Sequence, residues 1–357
     1  MLFMIRSLIA GTGAYIPTLA VTNDAFLSSH FYNPDQTPLA YSIETTLKKF
    51  SAITGIHQRR YAAPGITASL MGLEAGRQAL HHAQANPELI DQIIVAHNYG
   101  DMAYRGAPRD QVPSLASRIK QGLGIKNPYC IAYDLVFGCP GWLLALMQAD
   151  QAIRSGSASR VLVIGTETLS RVLDGSDRDS MIFADGAGAC LLTKNDTVPE
   201  RGLLHSIARS DTQTEASYIY SGKANDGSEE APVFIKMQGH KVYEYALREV
   251  PQAMKKCLDA SGRSIDELKM IFIHQANEKM DEAILREFYK LYSHTPPALI
   301  MPMNIGWMGN SSVATIPTLL HQVMSGELAD YRLQSNDLIL FASVGAGMHI
   351  NAVLYQV

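Results

Sequence analysis

Asp185-Gly186-Ala187-Gly188-Ala189-Cys190-Leu191-Leu192 decides the fold, because its opening returns near the other end of the chain as Val344-Gly345-Ala346-Gly347-Met348 with an apolar run from Ile350 to Tyr355. A Gly-Ala-Gly leading into a β-branched or leucine-rich run predicts a buried strand entered through a tight backbone approach. What precedes each copy also repeats. A helical pattern from about Ser69 to Ala85 leads through Glu88-Leu89-Ile90-Asp91 to the strand-like Ile93-Ile94-Val95-Ala96-His97. A second, from about Lys241 to Ala260, leads through Asp266-Glu267-Leu268 to Met270-Ile271-Phe272-Ile273-His274. Helices alternating with short continuous apolar runs, such as Val161-Leu162-Val163-Ile164 and Leu338-Ile339-Leu340-Phe341, indicate sheets covered on both faces. The reading is a duplicated α/β fold with halves 1–200 and 201–357. Stretches rich in Gly, Pro, Asp, Asn and Ser predict loops over Tyr32 to Leu39, Asp101 to Gln111 and Tyr220 to Ala231.

The 357 residues are 47% hydrophobic and 18% charged, enough apolar material for two domains or one large duplicated unit. A net charge of −4 argues against a nucleic-acid partner, which calls for a basic surface. Four cysteines (Cys130, Cys139, Cys190, Cys257) stand without metal-ligand spacing, so neither a zinc site nor a disulfide framework is expected. The opening run from Met1 to Ala10 is too short to span a bilayer and carries Arg6 inside it. It predicts a first strand ending at Gly11 rather than a signal peptide, with no membrane insertion and a cytoplasmic location.

Chemistry enters at Leu135-Val136-Phe137-Gly138-Cys139-Pro140-Gly141-Trp142, where an apolar run stops at Gly-Cys and a helix to about Arg154 begins. Proline suits the first helical position, where its missing N–H is not needed. The turn places a thiol at a helix N-terminus, whose dipole and free N–H groups favour thiolate. The plainer alternative is a small buried hydrophobe. A nucleophile needs a polariser and donors for an oxyanion. His274 opens His274-Gln275-Ala276-Asn277 at a strand end, and Asn310 lies in Gly306-Trp307-Met308-Gly309-Asn310-Ser311-Ser312, before the helical pattern Val313 to Met324. Alone, each reads as an ordinary strand-end histidine or a turn with an N-cap. His97 is expected to take the structural histidine role in the first half.

These blocks, with Gly11-Thr12-Gly13-Ala14-Tyr15-Ile16-Pro17, Ile53-Thr54-Gly55-Ile56, Arg59-Arg60 and Asp177-Arg178, resemble the thiolase-fold condensing enzymes, closest to the β-ketoacyl-ACP synthase III group. The resemblance spans nearly the whole chain. It implies a five-layered αβαβα thiolase-like fold with two mixed sheets, a homodimer, and a Cys139/His274/Asn310 catalytic set. Cys139 would accept an acyl group from an acyl-CoA or acyl carrier protein thioester. The backbone N–H groups of Cys139 and Ala346 would hold the oxyanion. His274 and Asn310 would donate to the carbonyl of a malonyl-type unit as carbon dioxide leaves, with no metal or redox cofactor.

The chain departs from that family where coenzyme A is held. Arg178 is kept, but the position of a stacking Trp falls on Lys49 or Phe50, and a second arginine falls on Ile53. The family's pocket-limiting Phe aligns with Val112, whose smaller side chain suggests a longer or branched acyl group. A carrier-docking arginine aligns with Lys279, whose plainer reading is a solvated helix face. Ala96-His97-Asn98-Tyr99-Gly100-Asp101 and the Cys139 turn also resemble ketosynthases that make dialkylresorcinols and flexirubin-type pigment tails through a cyclohexanedione. Alternatives are a fatty-acid initiating synthase III, an acyltransferase without decarboxylation, and a non-catalytic partner subunit. The last would be expected to lack the cysteine.

Overall fold

The computed structural model describes residues 5–195, 200–228 and 233–357. Seven strands come first: β1 (Arg6–Tyr15), β2 (Leu19–Thr22), β3 (Gln58–Tyr61), β4 (Gln92–Ala96), β5 (Ile131–Leu135), β6 (Arg160–Thr168) and β7 (Asp185–Asn195). Six follow: β8 (Gly202–Ser210), β9 (Ile219–Gly222), β10 (Phe234–Met237), β11 (Leu268–Ile273), β12 (Leu338–Gly345) and β13 (His349–Gln356). The helices are α1 (Ile43–Thr54), α2 (Ala68–His82), α3 (Leu115–Gly122), α4 (Gly141–Arg154), α5 (Gly239–Ala260), α6 (Glu278–Lys290), α7 (Ile305–Met308) and α8 (Thr315–Met324).

Two sheets carry the duplication. The first has the order β1-β7-β6-β4-β5 and the second β8-β13-β12-β11. Both run antiparallel, antiparallel, then parallel from their first strand inward. The first sheet then adds β5, parallel to β4, at its edge.

Alternate faces of each strand feed different cores, as the two-residue period of a strand requires. Ile93, Val95, Leu162 and Ile164 pack under α2 and α3, whereas Ile94, Val161 and Val163 face α4 and α8. The second sheet turns Phe272, Ile339 and Phe341 to the same two helices and Ile271, Ile273 and Leu340 to α5 and α6. Helices α4 and α8 therefore form a middle layer between the sheets, giving αβαβα. A helix covered on both sides must be apolar nearly all round, and α4 buries Trp142, Leu143, Ala145, Leu146, Met147 and Ile153.

The backbone approach expected at Gly188 is real. A methyl there would lie 2.6 Å from the amide nitrogen of Thr318 on α8.

Two local expectations need correction. Strand β1 does not end at Gly11 but continues to Tyr15, through an irregularity in register between Ile9 and Gly11. Met1 to Met4, part of that expected strand, lie outside the described residues. The stretch Tyr220 to Ala231 is not all loop, because β9 pairs with β10, and its last residues, Glu229 to Ala231, also lie outside the description. Among the described residues, no helix is long and apolar enough to cross a membrane.

Candidate active site

The duplication brings the functional segments together. Helices α4 and α8 enter the middle layer at equivalent points of the two halves, so the turn before α4 meets the turn before α8. Gly138 makes the first turn possible: its φ of 69° lies in the left-handed region, and a methyl there would sit 2.9 Å from the Ala346 nitrogen. A methyl on Gly345 would sit 2.6 Å from the Cys139 nitrogen. The two backbones thus pack closely where Cys139 and Ala346 are expected to offer N–H groups.

Cys139 is partly accessible, whereas Cys130, Cys190 and Cys257 are buried, and all four are free thiols. The Ser312 hydroxyl donates to the Cys139 sulfur at 3.3 Å. The Ser312 N–H donates to Asn310 Oδ1 at 2.8 Å, which turns the Asn310 NH₂ group away from the Ser312 N–H. The Asn310 backbone is fixed by a bond from its N–H to the Ile182 carbonyl and one from the Ala184 N–H to its own carbonyl.

His274 follows β11 and is buried, with Nδ1 2.6 Å from Thr315 Oγ1. Burial holds its pKa down at about 3, so the ring is neutral. Thr315 has one proton and two groups that can take it, His274 Nδ1 and the Ser312 carbonyl at 2.9 Å. Given to the carbonyl, that proton leaves Nε2 an acceptor; given to Nδ1, it leaves Nε2 a donor. Gln275 spends its side chain on Pro302, Asn304 and Ile305, and Asn277 caps α6 at the Met280 N–H.

The expected thiolate is not the resting state. Burial pushes the Cys139 thiol up to about 11, and the nearby Glu167 carboxylate pushes the same way, against the Ser312 bond. Removal from water is the largest cause of that shift.

Four residues that sequence reasoning passed over complete the cluster. Glu167, Asn98 and Ser312 lead to the sulfur, and Thr315 leads to His274. Glu167 left a signal, a charged residue between two threonines just beyond the apolar run Val161 to Ile164 of β6. Ser312 and Asn98 stood inside quoted motifs without a role. His97 is structural: Nε2 meets Asp134 at 3.0 Å and Nδ1 accepts from the Gly100 N–H.

The expected substrate contacts are exposed, unlike the buried His274 and Asn310. Val112 is 87% exposed. Arg178 is half-exposed beside Asp179, and Lys279 is exposed on the first turn of α6. Of the two positions aligned with a stacking aromatic, Phe50 is in the core, whereas Lys49 is outside with its ammonium 3.3 Å above the Tyr41 ring. Ile53 is exposed.

Two family profiles match the chain: 3-oxoacyl-[acyl-carrier-protein (ACP)] synthase III over residues 133–212 and its C-terminal part over residues 258–357. The β-ketoacyl-[acyl-carrier-protein] synthase III of Jannaschia sp. is 32% identical over 99% of both chains. The crystal structure of 3-oxoacyl-[acyl-carrier-protein] synthase III from Aquifex aeolicus superposes with a TM-score of 0.79 at 28% identity, covering 98% of this chain and all of that one. The priming β-ketosynthase of the R1128 polyketide pathway gives 0.81 at 26% identity, covering 99% of this chain and 96% of its own.

Proposed function

The chain belongs to the β-ketoacyl-[acyl-carrier-protein] synthase III family, and on that premise we propose that Cys139, His274 and Asn310 carry its condensing chemistry. The observation behind this reading is one turn, 310–315, that bonds to all three: Ser312 meets the Cys139 sulfur and Asn310 Oδ1, and Thr315 meets His274 Nδ1. In the first step the Cys139 sulfur attacks an acyl thioester. The new C–S bond forms, the carrier thiolate leaves, and the cysteine proton ends on it. The N–H groups of Cys139 and Ala346 stabilise the oxyanion between these events. A malonyl-type thioester then loses carbon dioxide, with the enolate oxygen held by the Asn310 amide and by His274 in its Nε2–H form. The enolate carbon attacks the acyl-cysteine, the C–C bond forms, and Cys139 leaves as thiolate.

The acyl donor is a medium-to-long chain on acyl carrier protein rather than on free coenzyme A. Exposed Lys49 and Ile53 offer neither the aromatic stack nor the second arginine of the family pattern, and Arg178 alone remains to meet a nucleotide. Exposed Lys279 would meet an acidic carrier surface. The product belongs to secondary lipid metabolism of the dialkylresorcinol type, assembled in a homodimer. The relatives named synthase III favour a second reading, ordinary fatty-acid initiation.

Intact-protein mass spectrometry after incubation with acetyl-CoA, an eight-carbon acyl-CoA and the same chain on acyl carrier protein separates the two. Fastest loading by the carrier-bound chain supports the first, and fastest loading by acetyl-CoA supports initiation. Cys139→Ala is expected to abolish loading, and acylation persisting elsewhere would overturn the assignment. His274→Ala and Asn310→Ala are expected to load yet condense about 10²–10³-fold more slowly, the usual cost of one preorganised donor.

A further inference from the structure

We propose that Ser312 is a fourth catalytic residue, whose hydroxyl holds the Cys139 sulfur as it gains negative charge, aimed by a hydrogen-bond chain from Glu167 through Asn98. This rests on Cys139 being the nucleophile of the proposed function, and it assigns a role outside the Cys/His/Asn set.

The donor sense of the chain is fixed by chemistry. Glu167 Oε1 accepts from both the backbone N–H and the Nδ2 group of Asn98. Asn98 Oδ1 accepts from the Gly138 N–H at 2.9 Å, so the amide cannot be turned over without losing bonds at both ends. The second hydrogen on Nδ2 then points to Ser312 Oγ at 3.2 Å. Because that oxygen accepts from Asn98, its single proton is left for the Cys139 sulfur. From Asn98 onward, each link donates toward sulfur. The sense survives protonation of Glu167, since Oε2 is buried without a partner and can carry the proton while Oε1 still accepts.

The backbone supports the same assignment. Ser312 has a φ of 53°, in the left-handed region that residues other than glycine rarely occupy. Such a conformation persists where surrounding contacts over-determine it, as they do at functional sites. Here it lets one residue send its hydroxyl to Cys139 and its N–H to Asn310. A hydrogen bond from a hydroxyl to a thiolate is charge-assisted and far stronger than one to a neutral thiol. The bond therefore gains strength when the thiol gives up its proton ahead of attack, and again when condensation expels the thiolate. Glu167 and Tyr99 are the titratable groups that interact electrostatically with Cys139; burial holds both in their neutral direction, and the Glu167 carboxylate, once charged, opposes the thiolate.

The test needs no substrate. Alkylation of Cys139 is followed by mass spectrometry between pH 7 and 10, with iodoacetamide and with methyl methanethiosulfonate, in the wild type, Ser312→Ala and Ser312→Gly. Glycine removes the same hydroxyl and is at ease at this φ, so it covers the case in which the alanine variant does not fold. Both variants are expected to react about ten- to a hundredfold more slowly at each pH, by the same factor with both reagents, since a smaller thiolate fraction slows all thiolate chemistry alike. Wild-type rates would overturn the proposal, as would a loss confined to one reagent, which reports access instead. If Cys139 alkylates as expected here but never accepts an acyl group, the functional reading fails and the role of Ser312 toward sulfur stands.

Discussion

At Glu167, burial leaves one carboxylate oxygen accepting two bonds from Asn98 and the other unpartnered, and the pKa is held up at about 7 from an ordinary 4.5. The folded protein therefore keeps a proton that the unfolded chain releases. Stability from this group is fully present below pH 4.5 and is lost as pH rises to about 7. Burial of Asp185 raises its pKa to about 6 and works in the same direction. His274 works oppositely, since holding the neutral ring down at about 3 costs stability as pH falls below 6.5. Glu167→Gln keeps an acceptor for Asn98 and removes the titration. Urea unfolding at pH 5 and 7.5 is expected to show the variant losing about 2.4 kcal/mol less than the wild type across that interval. An equal loss in both proteins would show that Glu167 shares its unfolded titration.

Among elements, the decisive contact is β7 against α8, and it also limits what the sequence could reveal. The strand pattern and the Gly-Ala-Gly repeat made the duplicated halves legible because both are local: alternation, apolar runs and glycine need only neighbours in sequence. Helix α4 was legible for the same reason, from Pro140 and the apolar stretch to Arg154. The end of β1 was not, since Gly11 looks like a stop until the strand is seen to bend and continue beside β7. The Glu167–Asn98–Ser312 chain was not legible either, because its members come from the three segments β6, the loop after β4 and the turn before α8. Nothing local announces that they meet, and the thiol misread as thiolate has the same origin, a burial cost invisible in the turn alone. Gly188→Ala tests the contact itself. Its methyl would meet the Thr318 nitrogen at 2.6 Å and Pro317 at 2.7 Å, backbone and ring that cannot swing aside. Overpacking of this kind costs about 1–3 kcal/mol. Thermal unfolding is expected to fall accordingly, with slower alkylation of Cys139 as α8 and the Ser312 turn shift. A variant as stable and reactive as the wild type would show that α8 moves freely over the sheet.

The whole molecule is nearly symmetric, and the asymmetry is informative. The first sheet has an edge strand, β5, with no counterpart in the order of the second sheet. Unpaired strand edges invite pairing, and natural proteins cover or blunt them. Among the described residues, no strand pairs with the outer edge of β5. Tyr129 is 85% exposed before it, and Ile131 and Val136 are exposed at its two ends. Strand β5 also leads directly to the Cys139 turn, so a second copy pairing there would stand next to the nucleophile. Val112 is 87% exposed on its own chain and gains a role only if such a copy carries it to the partner's acyl pocket. Sedimentation at low micromolar concentration is expected to show a dimer, and Ile131→Glu, which sets a charge on each side of the joined edge, is expected to shift it toward monomer. If Val112 lines the partner's pocket, each methylene that its small side chain admits is worth about 0.8 kcal/mol, or roughly fourfold in loading. Val112→Phe is therefore expected to leave acetyl loading unchanged and to cut eight-carbon loading by more than an order of magnitude, while the protein remains a dimer. Ile131→Glu is expected to remove the same preference by another route, by taking Val112 out of the site. A fully active wild-type monomer, or a chain-length preference untouched by either substitution, would place the pocket wholly within one chain.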